Sequence, residues 1–391
     1  MSGKNKLTYL ALGGAGEIGM NMYVYGYGPV GEQKFILVDA GVTFPNMDTT
    51  PGVDLIMADP AFIAERADRL EAIFITHAHE DHVGAIGHLL PRLQAPVYCR
   101  EFTGLIARNK LERAGQDIHK VNVIGAWPET VTVGPFEVGF LPVSHSVPEA
   151  SGLVIDTPAG RIVHTGDFKL DPSPLVGEPY SPAVLEGLAA GGVKALVCDS
   201  TNVFSEHPGR SEADIKPAIE ALMRDASGMV VATTFASNIA RLKTLAQAAH
   251  DAGRTVAVVG RAMNTMIQAG FATGVLTDFP PIVDARDAED VPRGNLFVLA
   301  TGSQGERRAA SAQLAGGSYQ GLSMKAGDTF LFSSKTIPGN EVSVARILNQ
   351  LSEIGVTVID DSSGKYHVSG HANRPDLAEV HRLLRPANVI P

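Results

Sequence analysis

Potential metal ligands crowd into one short segment of the chain, and this crowding constrains the fold more than any other feature. Residues 76–82 read THAHEDH and directly follow an apolar run with the composition of a buried strand. Side chains two residues apart on an extended backbone face the same way, so His77 and His79 can converge on one cation as the strand ends. Asp81 and His82 then open a helix and can face a second cation. The segment therefore predicts a metal site at a strand end.

Further candidate ligands follow strand-like runs elsewhere in the chain. His145 comes after the predicted strand Phe136–Leu141, and Asp167 comes after Arg161–His164, where Gly166 permits the tight turn that would present the carboxylate. A carboxylate at Asp167 could bridge two cations. Imidazole and carboxylate ligands suit zinc or manganese, and an open coordination position would leave room for an activated water.

The size and composition of the chain narrow the class of protein. A length of 391 residues predicts two or three domains at the usual ~100–200 residues each. The net charge of −10 argues against a protein that coats nucleic acid through bulk electrostatics, so any contact with nucleic acid must be local. The sequence shows no secretion signal and no run of ~20 apolar residues, and Cys99 and Cys198 lie in apolar strand-like runs. We therefore expect a cytoplasmic protein with reduced thiols and no membrane association.

The pattern of predicted helices and strands divides the chain. Up to about residue 210, short β-rich runs alternate with helical stretches, one of which is Val83–Leu93 with Asp81 as its N-cap. From about Ser211 to residue 345, helices and apolar strands alternate regularly, as in strand Thr255–Val259 and the helices on either side of it. That alternation is typical of a parallel βαβ sheet. The sequence therefore predicts a first α/β domain followed by a second one over residues 211–345.

A glycine-rich segment offers a competing interpretation. Residues Gly14–Gly19 match GxGxxG after an apolar strand, and Asp39 follows at about the distance of a ribose-binding acid in dinucleotide-binding folds. That fingerprint requires a helix next, because the pyrophosphate binds at the helix N-terminus. Residues 20–31 instead combine aromatic and β-branched residues with glycine and proline, which favour strand and turn. The sequence therefore favours a tight turn in a β-hairpin over nucleotide binding.

The metal-ligand pattern and several downstream motifs carry a resemblance to a known family. The cluster at residues 77–82, with His145 and Asp167, resembles the metallo-β-lactamase superfamily over roughly the first 200 residues. Five further motifs resemble ribonuclease J, of the β-CASP branch, and they extend the match essentially from end to end. They are GGAGEIGMN at residues 13–21, CDSTN at 198–202, TGSQGE at 301–306, SSKTIPGNE at 333–341 and HVSGH at 367–371.

The resemblance implies an α/β fold in which a metallo-β-lactamase αββα sandwich carries an inserted β-CASP α/β domain. On this basis residues 1–210 form the first part of the lactamase-like domain, 211–345 form the β-CASP domain, and 346–391 return to the lactamase-like domain. Substrate RNA would lie in the cleft between the domains. The metal ligands that the resemblance implies are His77, His79 and His145 for one metal, Asp81 and His82 for the other, and Asp167 as the bridge. Two zinc ions are expected, with manganese or magnesium as alternatives.

The resemblance also assigns roles beyond the metal ligands. Asp39 would accept a hydrogen bond that orients a ligand histidine. Asp199 matches the first acidic motif of the branch, His371 matches a catalytic histidine, and Asp81 could also orient the attacking water. The candidates for binding a substrate phosphate are Ser237, His367 and Ser369. A serine at the position of Ser237 could equally be a helix cap.

The expected reaction is hydrolysis of RNA phosphodiester bonds by a water that two cations activate, with His371 neutralising the developing charge or protonating the leaving oxygen. The resemblance implies 5′-to-3′ exonuclease action on 5′-monophosphate RNA, with endonuclease cutting as a second mode, in rRNA processing and mRNA decay. Two alternatives stay open at this point. One is another hydrolase on the same fold, of the lactonase, thioesterase or β-lactamase type, and the other is a non-catalytic RNA-binding homologue.

One departure from the family pattern generates a prediction. In the family, a Pro-Val-His-Gly-Glu segment follows the region of His371 and supplies another ligand to the second metal, whereas this sequence ends at Val389-Ile390-Pro391. On the same resemblance we expect this sequence to lack the family's C-terminal domain, which is associated with self-assembly into homo-oligomers. We expect the second cation to bind weakly and nuclease activity to be reduced or absent in the 391-residue chain. Vigorous RNA turnover by this form would contradict that expectation.

Overall fold

The computed structural model describes residues 4–45 and 50–391, and these divide into two compact units. The first unit comprises the described part of Met1–Pro172 together with Gly177–Gly209 and Gly370–Pro391, and the second comprises Ser173–Val176 and Arg210–Ser369. The domain boundaries after residues 210 and 345 stay a prediction. Within the described ranges, no helix has the length and apolar composition that crossing a bilayer requires.

The helices begin and end as follows along the chain. They are α1 (Ala61–Ala64), α2 (Glu80–Val83), α3 (Ile86–Leu93), α4 (Glu101–Arg113), α5 (Pro182–Ala189), α6 (Lys216–Asp225), α7 (Ile239–Asp251), α8 (Arg261–Ala272), α9 (Ala310–Gly316), α10 (Glu341–Ile354) and α11 (Arg374–Leu384).

The strands of the first unit form two sheets and a short extra pair. Their bounds are β1 (Asn5–Gly13), β2 (Met22–Pro29), β3 (Lys34–Val38), β4 (Val42–Thr43), β5 (Ile56–Met57), β6 (Leu70–Phe74), β7 (Val97–Cys99), β8 (Val121–Val123), β9 (Thr130–Val133), β10 (Phe136–Pro142), β11 (Ser151–Thr157), β12 (Gly160–His164), β13 (Val193–Val197) and β22 (Val389–Ile390), the last numbered after the strands of the second unit. The first sheet has the order β1-β2-β3-β6-β7-β8 and the second the order β22-β13-β12-β11-β10-β9. Strands β4 and β5 pair with each other.

Alternating apolar side chains hold the two sheets together. Ile36 and Val38 of the first sheet, and Phe136, Val138 and Phe140 of the second, are buried in one shared core. Their spacing of two residues is what places successive members of each strand on the same face. The opposite face of the second sheet packs against α5 and α11, and α4 contacts β7 and β8 of the first sheet. These layers form the predicted αββα sandwich.

The glycine-rich segment lies in the turn of a hairpin. Strands β1 and β2 pair antiparallel on either side of it, with Asn5 opposite Pro29 and Ala11 opposite Tyr23. A strand therefore occupies the place of the helix that dinucleotide binding would need. The structure confirms the prediction of a β-hairpin.

The predicted helix Val83–Leu93 with an Asp81 cap is wrong in detail. The chain forms a short helix, α2, and then a second one, α3, with His79 rather than Asp81 at the N-cap position of the first. The backbone N–H of Ala85 donates to the carbonyl of Ala40 at 2.8 Å, and the carbonyl of Asp81 accepts from the backbone N–H of Asn21 at 3.0 Å. The two groups that would continue the helix are thus bonded to other segments, which breaks it after one turn.

The second unit contains a parallel sheet with crossover helices. Its strands are β14 (Val230–Thr233), β15 (Thr255–Val259), β16 (Ile282–Val283), β17 (Leu296–Ala300), β20 (Thr329–Phe332) and β21 (Thr357–Ile359), with β18 (Ser318–Tyr319) and β19 (Leu322–Ser323) as a separate pair. The sheet has the order β16-β15-β17-β14-β20-β21, and neighbouring strands run parallel. This confirms the parallel α/β arrangement predicted for the region.

Gly41 offers a test of how closely the backbone segments pack in the first unit. A Cβ atom at Gly41 would lie only 1.6 Å from the backbone oxygen of Asp81. We expect Gly41→Ala to lower the free energy of unfolding by about 1–3 kcal/mol or more, because backbone has to move. Chemical denaturation measures the change. Gly187→Ala is the control, since nothing lies within 4 Å of its Cβ position in α5. A stability for Gly41→Ala equal to the parent would refute this packing.

Candidate metal centre

The predicted ligands gather where strands of the sandwich end. Asp39 follows β3, His77 follows β6, His145 follows β10 and Asp167 follows β12. Gly166 has a φ of 56°, a left-handed conformation that glycine adopts readily, and it turns the chain directly before Asp167. Strand ends from both sheets thus contribute to one cluster of side chains.

The first group of converging donor atoms is rich in imidazole. The Nδ1 atom of His79 lies 3.1 Å from Nε2 of His77 and 3.1 Å from Nε2 of His145. The Oδ2 atom of Asp167 lies 3.9 Å from the first of these Nε2 atoms and 3.7 Å from the second. Ligand atoms of these four residues lie within 4.8 Å of one another. The group has the composition of a zinc site with three nitrogen ligands.

The second group shares a carboxylate with the first. The Nε2 atom of His82 lies 3.6 Å from Oδ2 of Asp81 and 3.4 Å from Oδ2 of Asp167. The same oxygen of Asp167 therefore faces both groups. This arrangement is what a carboxylate that bridges two cations requires.

Hydrogen bonds at Nδ1 orient three of the four histidines so that Nε2 faces the cluster. Nδ1 of His82 lies 2.8 Å from Oδ2 of Asp39, Nδ1 of His145 lies 2.7 Å from the carbonyl oxygen of Gly370, and Nδ1 of His77 lies 3.0 Å from Oγ1 of Thr76. In each case a proton on Nδ1 can be donated to oxygen, which leaves the lone pair on Nε2, the atom that faces the cluster. Outer partners of this kind commonly orient metal-ligating histidines.

The electrostatics of the cluster suit positive ions. Burial, together with the positive charge of neighbouring imidazoles, lowers the pKa of His77 and His79 well below the usual value, and burial lowers the pKa of His145 to about 4. Burial also disfavours a charged His82, but the carboxylates around it, from Asp167 first, raise its pKa well above the usual value. The neutral imidazoles of His77, His79 and His145, with the Asp167 carboxylate beside them, fit a divalent metal site.

A carboxylate and a histidine lie next to this cluster. Oδ2 of Asp199, which follows β13, lies 2.8 Å from Nδ1 of His371. The ring centroids of His371 and His145 are 5.2 Å apart. Burial lowers the pKa of His371, but the Asp199 carboxylate and its hydrogen bond raise the pKa to about 9. His371 can therefore carry a proton at neutral pH.

The predicted phosphate-gripping residues belong to the second unit. Ser237 and His367 lie in the range Arg210–Ser369, as does Ser369 itself. The N-cap of α7 is Asn238, whose side chain accepts from the backbone N–H of Arg241. Asn238 therefore caps α7, in place of Ser237, for which the sequence had left that role open.

Asn21 is a site residue that sequence reasoning missed. Its Nδ2 atom donates to the backbone oxygen of Asp81 at 3.1 Å and to the Oδ2 atom of Asp81 at 3.3 Å, and it lies 3.0 Å from Nε2 of His82. The hydroxyl of Tyr23 donates to Oδ1 of Asn21 at 2.8 Å. Gly14 packs closely on Asn21 and Tyr23: a Cβ at Gly14 would lie 2.4 Å from Oδ1 of Asn21 and 2.4 Å from the hydroxyl oxygen of Tyr23. The glycine-rich turn before Asn21 was the available signal.

Comparisons with known proteins agree with this geometry. A family model described as "Metallo-beta-lactamase superfamily" matches residues 16–230, and one described as "Ribonuclease J, beta-CASP domain" matches residues 227–351. A ribonuclease J of Sinorhizobium meliloti is 42% identical over 393 residues, covering 100% of this chain and 69% of that protein. The chain belongs to the ribonuclease J family. The predicted family and fold class are therefore confirmed.

More distant relatives extend the picture. A ribonuclease J of Thermus thermophilus is 36% identical over 397 residues and covers 99% of this chain and 68% of that protein. A crystal structure titled as a protein of unknown function from Enterococcus faecalis V583 aligns with a TM-score of 0.68 at 18% identity, over 98% of this chain and 93% of that one. At that identity the structural match supports the fold alone.

Asn21 gives a prediction for metal binding. We expect Asn21→Ala to weaken binding of one cation by about 10- to 100-fold, because the Asp81 carboxylate loses the donor that orients it. Titration of the metal-free protein with zinc, followed by calorimetry, measures the affinity. Asn122→Ala is the control, because the Asn122 side chain donates only to the backbone oxygens of Val97 and Lys120 among the bonds described. Equal zinc affinities for the two variants would rule out the role of Asn21.

Proposed function

We propose that this chain is a metal-dependent ribonuclease that hydrolyses RNA phosphodiester bonds at a pair of divalent cations. The observation that carries the proposal is the position of Asp167, whose Oδ2 atom lies 3.9 Å from Nε2 of His77, 3.7 Å from Nε2 of His145 and 3.4 Å from Nε2 of His82. Membership of the ribonuclease J family, and the match of residues 227–351 to its β-CASP domain, favour RNA over the substrates of lactonases or thioesterases.

The proposed ligand sets follow the two groups of donor atoms. His77, His79, His145 and Asp167 would hold one cation, and Asp81, His82 and Asp167 the other. Bound divalent cations would supply a nucleophilic water at neutral pH and stabilise negative charge on the phosphate oxygens. Zinc is the metal we propose first, because imidazole dominates the first group, and manganese suits the same donors.

We propose that His371, oriented by Asp199, donates a proton to the leaving group. The Nδ1 atom of His371 lies 2.8 Å from Oδ2 of Asp199, which orients the ring. A protonated imidazole whose orientation is fixed by a carboxylate can donate a proton to the departing oxygen, an effect usually worth about 10²- to 10⁴-fold in rate. Asp81, at the edge of the second group, is proposed to orient the attacking water as well as to bind metal.

The second unit supports a phosphate-binding role for Ser237 and the segment around His367. After β14 the chain crosses through α7 to β15, and after the neighbouring β20 it crosses through α10 to β21 on the other side. Parallel sheets bind ligands at the carboxyl ends of strands where the crossovers diverge in this way. Ser237 follows β14, and the backbone oxygen of Tyr366 accepts from Oγ of Ser333, directly after β20. We propose that Ser237, His367 and Ser369 bind a terminal phosphate of RNA.

Capture of a terminal phosphate would favour degradation from the 5′ end. We therefore propose 5′-to-3′ exonuclease action on 5′-monophosphate RNA, with internal cleavage as a second mode. A cytoplasmic location and self-assembly of the full-length protein are proposed on the sequence resemblance.

Replacing a ligand histidine tests the proposed function. We expect His77→Ala to lower bound zinc and to reduce hydrolysis of 5′-monophosphorylated RNA by about 100-fold or more, since loss of a ligand should cost at least as much as loss of an outer partner. Metal content is measured by plasma mass spectrometry. Cleavage is measured on 5′-monophosphorylated and 5′-triphosphorylated RNA of the same sequence. His88→Ala is the matched control, because His88 lies exposed on α3.

Two results would count against the proposal. RNA binding that is unchanged by metal removal, in a parent protein that binds no divalent metal, would favour a non-catalytic RNA-binding protein. Equal activity of the His77→Ala and His88→Ala variants would show that the centre described above does not perform the hydrolysis.

A further inference from the structure

Arg241 is a fully buried arginine in the second unit, with 0% of its surface exposed. It lies in the first turn of α7, directly after the segment that contains Ser237. Its Nε and Nη2 atoms donate to the two carboxylate oxygens of Glu212, each at 2.9 Å. Glu212 is itself buried, so the two charges compensate each other. This pairing uses one edge of the guanidinium and leaves the other edge for different partners.

The other edge of the guanidinium faces the segment Tyr366–Val368. Nη1 donates to the backbone oxygen of Ser333 at 2.7 Å and lies 3.2 Å from Nδ1 of His367. Nη1 also lies 3.4 Å from the oxygen of Tyr366, and Nη2 lies 3.4 Å from the oxygen of Val368. One side chain therefore joins the end of β20 to three consecutive residues around His367. The planar fork of arginine makes such multiple contacts possible, and lysine cannot reproduce them.

The contact with His367 fixes the state of its ring. A guanidinium is always a donor, so Nδ1 of His367 must accept, and the ring proton must then be on Nε2. Burial first, and the charge of Arg241 second, lower the pKa of His367 to about 3, so the ring is neutral at neutral pH. A neutral imidazole with its proton on Nε2 offers one directed donor to a neighbouring anion.

We propose that Arg241 is a positioning residue that holds His367 in the Nε2-protonated form, so that His367 donates a hydrogen bond to the terminal phosphate of RNA. The inference rests on the proposed function, in which His367 contacts that phosphate. Arg241 itself is buried and acts through His367 and the backbone of Tyr366–Val368. Glu212 keeps the guanidinium in the required orientation through its two parallel hydrogen bonds.

Steady-state kinetics tests the functional part of the inference. The Arg241→Lys variant keeps the charge opposite Glu212 but loses the fork. The double variant Arg241→Met/Glu212→Met removes both buried charges together, which avoids leaving one uncompensated. Both are compared with the parent on RNAs of one sequence that carry 5′-monophosphate or 5′-hydroxyl ends. We expect KM for the monophosphorylated RNA to rise about tenfold or more, kcat to stay within about threefold, and the preference for the monophosphate to fall accordingly.

Arg254→Lys is the matched control. Arg254 is also buried in the second unit, and its guanidinium donates to the backbone oxygens of Met223, Gly228, Ala226 and Leu296. It has no contact with His367 among those described. We expect this variant to keep the preference for 5′-monophosphate RNA. A loss of preference in Arg254→Lys equal to that in Arg241→Lys would overturn the inference, because it would show a general effect of disturbing the unit.

Nuclear magnetic resonance of the imidazole nitrogens tests the inference without any activity. With ¹⁵N-labelled histidine, and with the His367→Gln variant to assign the signals, we expect His367 of the parent at pH 7.5 to show a protonated Nε2 and an unprotonated Nδ1. In the double variant we expect a mixture of the two tautomers. A parent spectrum with the proton on Nδ1, or a double variant identical to the parent, would overturn the link between Arg241 and His367.

The two kinds of failure can be told apart. If the parent shows no preference between 5′-monophosphate and 5′-hydroxyl RNA, the proposed 5′-end function is wrong, and the link between Arg241 and His367 is then decided by the nitrogen spectrum. If the parent shows the preference and both Arg241 variants retain it, the proposed function stands and the positioning role of Arg241 is wrong.

Discussion

The buried carboxylate of Asp39 is the interaction on which the candidate metal centre depends. Asp39 has no exposed surface. Its Oδ1 atom accepts from the backbone N–H of Thr76, both carboxylate oxygens lie within hydrogen-bond distance of the Thr76 hydroxyl, and Oδ2 lies 2.8 Å from Nδ1 of His82. It thereby ties the end of β3 to the end of β6 and to the first helix after β6. A buried charge is tolerated only when it is fully hydrogen-bonded, so this carboxylate forces its partners into fixed positions. The ring of His82 is then aimed at Asp167.

Backbone hydrogen bonds to distant segments also determine the structure around Asp81. A continuous helix from residue 80 to residue 93 would have consumed the carbonyl of Asp81 and the N–H of Ala85 in its own ladder. The structure instead commits them to Asn21 and Ala40. The helix is interrupted at this point, and Asn21 lies against the Asp81 carboxylate. The contacts with Asn21 therefore both interrupt the helix and orient Asp81, a proposed metal ligand.

The sequence predicted that the candidate ligands would lie close together, because their spacing obeys local rules. The period of two in an extended chain placed His77 and His79 together, and regular alternation of apolar helices and strands predicted the parallel sheet of the second unit. The outer contacts were not predictable in the same way. Asn21 meets Asp81 across 60 residues, and Arg241 meets His367 across 126. Such pairs arise only from the packing of whole elements, for which no short pattern in the chain is diagnostic.

The acceptor for Nδ1 of His145 is the backbone oxygen of Gly370, which is 225 residues further along the chain. Gly370 also packs directly on the imidazole, since a Cβ there would lie 2.8 Å from two of its ring atoms. A ribosome must therefore synthesise the whole intervening unit before this histidine acquires its partner. On a nascent chain His145 therefore lacks its hydrogen-bond acceptor until residue 370 has been synthesised.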